Sequence, residues 1–225
     1  MQPVDDRRGR NREHLIWPWV AAALLVAAQS AADLTNEFVL DGGYRSLDAA
    51  ADASIFGRAN TLAIGVSAVL AALAARHGRR RASRLVLSGC LLLVMVDDAT
   101  GFHDRLGDSA AVDEAVLGFA IVLALTAWLL LREAALAGRT PRLLLVVGLS
   151  ALISAVVVRF VEGATAVAAG LDATPKALGI ACEQGLDFGG WLLVVFGLFA
   201  LLAEERDRPR EESLFAPEPR TARAR

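Results

Sequence analysis

The sequence predicts an all-α protein, a polytopic bundle of six transmembrane helices with both termini in the cytoplasm. Three observations lead there. Hydrophobic residues fill 55% of the 225 positions and charged residues only 21%, with a mean hydropathy of +0.47. That is more apolar surface than a water-soluble globule of this size carries. The charges stand in groups between long apolar runs instead of being scattered through them. Those groups alternate along the chain between arginine-rich and acidic or sparsely charged, as cytoplasmic and external loops do. The same composition excludes a disordered chain.

Six apolar stretches approach the roughly 17 to 25 residues that a hydrocarbon core of about 30 Å demands. The first runs from Leu15 to Ala32. It is entered through Arg7, Arg8, Arg10 and Arg12 and flanked by Trp17 and Trp19, which read as interfacial anchors. The Ala28 to Ala32 stretch is only a faint match to a signal-peptide cleavage site, and removing span one would reverse the parity that the arginines support. The loop from Asp33 to Arg58 is then external, with an apolar Leu47 to Phe56 segment that reads as a short surface helix. Span two, Asn60 to Ala75, is short and alanine-rich and ends at Arg76, Arg79, Arg80, Arg81 and Arg84, a cytoplasmic turn.

Span three runs from Leu85 to Phe102 and returns to the external side. Span four, Ala111 to Leu131, places Trp128 near the cytoplasmic boundary and is followed by Arg132, Arg139 and Arg142. Span five covers Leu143 to Val161. Span six covers Ala177 to Ala203 and is preceded by Thr174 as an N-cap and Pro175 at the first helical position. Residues 1–14 form a basic cytoplasmic N-terminus, residues 15–203 the membrane domain, and residues 204–225 a tail with three prolines and little to bury, expected to be disordered.

Several function classes are disfavoured. There is no Walker or dinucleotide glycine motif, no nucleophile elbow and no internal repeat. The arginine groups lie at membrane boundaries without interleaved aromatics, so they mark topology or anionic lipid and not nucleic acid. Cys90 and Cys182 fall near opposite ends of the bundle and are not expected to bond.

Ionisable residues inside the spans carry the functional information, because a charge at mid-bilayer costs on the order of 2.5 to 3.5 kcal/mol. Span three ends in Asp97, Asp98, His103 and Asp104. At about 1.5 Å per residue Asp97 lies roughly 18 Å along the span from Leu85. At 100° per residue Asp97 and Asp104 share a face that Asp98 and His103 flank. Span five adds Arg159 and Glu162, spaced to pair with each other or with a carboxylate. Span six stacks Glu183 over Asp187, and its Gly185, Gly189 and Gly190 would let this acidic face approach span three.

The topology brings these groups to one depth in the external half. Carboxylates with one imidazole suit a divalent metal, whether zinc, manganese or iron. The candidate ligands are Asp98, His103, Asp104, Glu183 and Asp187, with Asp97 and Glu162 as candidate catalytic bases. Two other outcomes use the same residues: a proton-sharing cluster paired with Arg159 that only pins helices, and a proton or cation pathway.

These residues also carry a resemblance. The segment Asp97-Asp98-Ala99-Thr100-Gly101-Phe102-His103-Asp104 and the segment Glu183-Gln184-Gly185-Leu186-Asp187 resemble the Asp-Glu-Ala-x-x-x-His-Glu and Glu-Glu-x-x-Glu motifs of a group of uncharacterised bacterial multi-pass membrane proteins. Span layout is similar from about residue 15 to 203, and Glu162 matches in isolation. Three of that group's glutamates are shortened to Asp98, Asp104 and Asp187, and one is replaced by Gln184. The resemblance implies a bacterial inner membrane and places the site, but names no reaction. A looser likeness is to the ceramidase and progestin-receptor-like membrane hydrolases, whose later histidine pair is missing here. The expectation is a membrane-embedded protein with a metal site, conceivably a hydrolase of lipid-like or small-molecule substrates; the alternatives are a proton- or cation-coupled transporter and a non-catalytic scaffold.

Overall fold

A computed structural model of the chain describes residues 6–40, 43–44, 46–47, 54–77, 80–101, 112–169 and 173–214. Among them every element is a helix: α1 (Asp6–Phe38), α2 (Ile55–His77), α3 (Arg81–Thr100), α4 (Val112–Leu136), α5 (Arg139–Ala169) and α6 (Ala173–Leu214). Five of the six are long and apolar enough to cross a membrane. The exception, α3, has only 20 residues and carries Arg81, Arg84, Asp97 and Asp98, too much charge for hydropathy alone.

Helices α2 to α6 close into a ring, each packed on its chain neighbours, with α6 returning to α2; α1 lies outside against α6. Short connections at 78–80 and 137–138 gather one end of the ring, called here the basic end. The other is the acidic end. Toward the basic end the ring is filled by Ile64, Ala68, Leu87, Leu91, Leu130 and Leu198 among other buried side chains. Alanines on α2 at 63, 68, 71, 74 and 75 are all buried, and small residues of this kind let helix backbones approach closely. On α3 the buried positions 84, 87, 88, 90, 91, 94 and 97 recur at helical spacing, so one broad face takes the inward contact. Ser88 Oγ donates from it to Ala68 O of α2 at 2.9 Å.

The closest approach is between α5 and α6. A Cβ added to Gly148 would stand 2.8 Å from Gly190 O, and one added to Gly190 would stand 2.7 Å from the Leu152 side chain. Neither position tolerates a larger residue without the helices moving apart. Gly185 and Gly189 meet Val26 of α1. The glycines of α6 therefore serve α1 and α5, not α3 as expected. The reason is their angular spread: 185 and 189 lie one turn apart on one side, whereas 190 is rotated about 100° toward another neighbour.

Several helices exceed the predicted apolar stretches. Asp33 and Glu37, assigned to an external loop, are helical residues of α1. Helix α2 starts at Ile55, and residues 48–53 of the expected surface helix lie outside the described residues. Helix α6 continues past Ala203 to Leu214, so Glu204 and Glu205 begin no disordered tail. Trp19 packs against the Ala22, Leu144 and Leu193 cluster and is more than an interfacial anchor, whereas Trp17 is exposed.

Candidate functional site

At the acidic end the ring opens around a cavity of about 500 Å³. All five ring helices line it. Gly57, Asn60 and Ile64 come from α2, Val94, Asp97 and Asp98 from α3, and Thr126 and Leu130 from α4. Helix α5 contributes Leu149, Leu152 and Arg159, and α6 contributes Glu183, Asp187 and Trp191. Polar groups gather at the outer part of the wall and hydrocarbon covers the rest.

Helical periodicity explains the convergence. Asp97 ends the buried stripe of α3 and is only 7% exposed. Glu183 and Asp187, one turn apart on α6, face the same space. Helix α3 stops immediately beyond the acids because Gly101 takes a left-handed backbone (φ 56°, ψ 35°), its N–H bonding to Asp97 O. A side chain there would be strained, which is why glycine suits the position.

Neutral donors reach two of the acids. Asn60 Nδ2 donates to Asp187 Oδ2 at 2.8 Å, and the Trp191 side chain lies near the same carboxyl group. Thr61 Oγ1 bonds to Asp98 Oδ2. Arg159 Nε stands 3.9 Å from Glu183 Oε1, with the arginine side chain 62% exposed. Four carboxyl groups thus face the cavity against one guanidinium. Asn60 itself is 8% exposed, and its Oδ1 has no hydrogen-bond partner among the described residues.

Of the residues singled out from sequence, the structure brings Asp97, Asp98, Glu183, Asp187 and Arg159 to one cavity. His103 and Asp104 lie outside the described residues. Glu162 falls on α5, with its side chain outside the described set. Among the described residues no group of three or more His, Cys, Asp or Glu side chains is placed to hold one metal ion. The acids are distributed around the wall instead. Asn60, Thr61, Thr126 and Trp191 were not anticipated as site residues. Asn60 and Thr61 stood at the predicted start of span two, where polar residues ordinarily mark a boundary.

The basic end holds a second polar cluster that sequence reasoning missed. Arg84, read as one more cytoplasmic topology charge, is 3% exposed. Its Nε and Nη2 donate to Glu133 Oε2 at 3.0 and 2.9 Å. Nη1 and Nη2 donate to Glu205 at 2.6 and 2.5 Å, and Nη1 also reaches Ala74 O at 2.9 Å. All five donors of the guanidinium fork are used, tying α3 to α2, α4 and α6. Glu133 is 1% exposed, and its Oε1 has no partner among the described residues. Nearby, Gly138 N–H donates to Glu204 Oε2 at 3.1 Å. Cys90 is buried and Cys182 exposed, and both are free thiols, as expected.

No curated protein and no solved structure is detectably similar to the chain. The model of one protein family, a domain of unknown function designated DUF8692, matches residues 11–202. That span contains the whole cavity, with Arg84 and Glu133 of the basic end but not Glu204 or Glu205, and the chain belongs to the DUF8692 family.

Proposed function

We propose that this protein is a six-span integral membrane protein with both termini cytoplasmic, and that the acidic end of its cavity binds a cation. Counting α3 as the sixth span is supported by its place inside the ring, where its charged residues meet polar partners on neighbouring helices. The arginine distribution supports the orientation, and the likeness to bacterial multi-pass proteins supports a bacterial inner membrane. One observation carries the binding site: Asp97, Asp98, Glu183 and Asp187 line one cavity, at a depth where like charges brought together are costly.

A divalent metal, zinc, manganese or iron, meets that need. Asp98, Glu183 and Asp187, which as they stand are not placed to share one ion, would have to draw together with His103 and Asp104 to ligate it, while Asp97 and Glu162 would be available as bases. A bound metal polarises an ester or amide carbonyl and acidifies water, so hydrolysis of a lipid-like or small-molecule substrate is the reaction class that fits. Purification in mild detergent followed by elemental mass spectrometry tests this. About one equivalent of metal is expected, absent from a variant carrying Asp98→Asn and Glu183→Gln. A folded wild-type protein that retains none after these ions are added back sinks the metal reading. A cytoplasm-dependent fluorescent reporter fused after Arg225 checks the orientation and should be bright.

One observation favours a second reading, proton- or cation-coupled transport. Thr126, Leu130 and Glu133 follow one another on one face of α4, so an ionisable group lies beyond the inner wall of the cavity. Under that reading Glu133→Gln abolishes ion-driven uptake into proteoliposomes, whereas a hydrolase leaves no such uptake to abolish.

A further inference from the structure

On the outside of the basic end, Arg132 of α4 is held in place without being neutralised. Its guanidinium lies over the Trp128 ring, 5.6 Å from the centroid, and Nη1 donates to Ser83 Oγ of α3 at 3.4 Å. Both partners are neutral. Glu133, next in sequence, is turned inward and bonded to Arg84. Arg142 differs again, spending its donors on Ala134 O and Ala135 O. A guanidinium laid on an indole keeps its in-plane donors available, and Ser83, accepting from Nη1, keeps its own O–H to offer. Arg132 is exposed, so an acceptor from outside the bundle can reach these donors.

The helix leading to this arginine is apolar along one line. Ile121, Leu125, Trp128 and Arg132 fall within about 60° of one another at roughly 100° per residue, and all four are exposed. From Ile121 to Arg132 the helix rises roughly 16 Å, about half of a hydrocarbon core of roughly 30 Å. The stripe is therefore as long as the chains of one leaflet, with an aromatic ring and a cation at the level of the head groups. A phosphate accepts two parallel N–H bonds from one guanidinium. A head group without an ammonium of its own leaves that attraction undiminished.

We propose that Arg132 and Ser83 hold the phosphate of an anionic phospholipid in the leaflet at the basic end, with one acyl chain lying along Trp128, Leu125 and Ile121. This rests on the membrane-spanning reading and is independent of the cation site. It sets Arg132 apart from other exposed arginines of that end, for which general attraction to an anionic surface suffices.

The test uses the full chain, purified in mild detergent, stripped of lipid and titrated with dioleoylphosphatidylglycerol or dioleoylphosphatidylcholine, the bound lipid being counted by native mass spectrometry. Phosphatidylglycerol is expected to bind about tenfold more tightly than phosphatidylcholine. Arg132→Gln should abolish that preference. Arg132→Lys, which keeps the charge and loses the planar fork, should weaken it about threefold. Arg76→Gln, at an exposed arginine of the same end, should leave it unchanged, and the melting temperature should hold in all three variants. Equal loss from Arg132→Gln and Arg76→Gln, full binding by Arg132→Lys, or displacement of the lipid by millimolar inorganic phosphate overturns the proposal. Reconstitution of the wild-type chain into phosphatidylglycerol nanodiscs separates the two readings. Failure to incorporate overturns the membrane-spanning reading, whereas incorporation without any preference for phosphatidylglycerol overturns the lipid site alone.

Discussion

The two ends of the bundle bury similar residues and use them differently. At the basic end Arg84 spends every donor on Glu133, Glu205 and a helix carbonyl, and the core closes over the group. At the acidic end four carboxyl groups line open space with neutral donors and one exposed arginine around them. A charge matched and sealed inside the fold holds helices together. Ionisable groups that line a cavity within a membrane-spanning bundle are positioned to meet whatever enters it. The contrast separates architecture from site without any appeal to activity.

The largest effect is expected at the sealed end. Replacing Arg84 by Met strands the buried Glu133 and the part-buried Glu205 and should cost about 3–5 kcal/mol, read as a large loss of thermal stability in detergent. Adding Glu133→Gln and Glu205→Gln to the same protein should recover most of that loss, because no unpaired charge remains. Next comes the α5–α6 contact. Gly148→Val drives a side chain into Gly190 O and Leu193 and should destabilise by about 1–3 kcal/mol, with Cys90 becoming reactive to thiol reagents at lower temperature. Ser88→Ala removes one interhelical hydrogen bond and should cost about 0.6 kcal/mol. Smallest of all is Asp97→Asn. It keeps the side-chain shape and removes one of the four carboxyl groups that line the cavity, so the melting temperature should shift only slightly. If Asp97→Asn destabilised the fold as strongly as Arg84→Met, the distinction between the two ends would collapse.

Hydropathy and charge order made the helical architecture legible, since apolar length and arginine placement are properties of a linear string. The acidic site was legible in part for a related reason: carboxylates inside an apolar stretch stand out. Arg84 did not, because it stands among four other arginines and nothing in the sequence distinguishes the one that turns inward. Glu133 was hidden similarly, next to Arg132 at a span boundary. Its role depends on α3 and α6 arriving at the same height, which only packing decides. The glycines of α6 were recognised as contact points but given the wrong neighbour. Periodicity says which residues share a face and not which helix that face meets.

The left-handed turn at Gly101 has an electrostatic consequence. By ending α3 one turn after Asp97 it leaves that helix's last carbonyl groups beside the acids, and Gly101 itself lines the cavity. Aligned peptide dipoles place roughly half a unit of negative charge at such a terminus. The backbone therefore adds to the carboxylates instead of offsetting them, deepening the negative potential at the mouth. A longer α3 would carry those carbonyls away and soften that field, so the position of a single glycine sets how negative the backbone makes this end of the cavity.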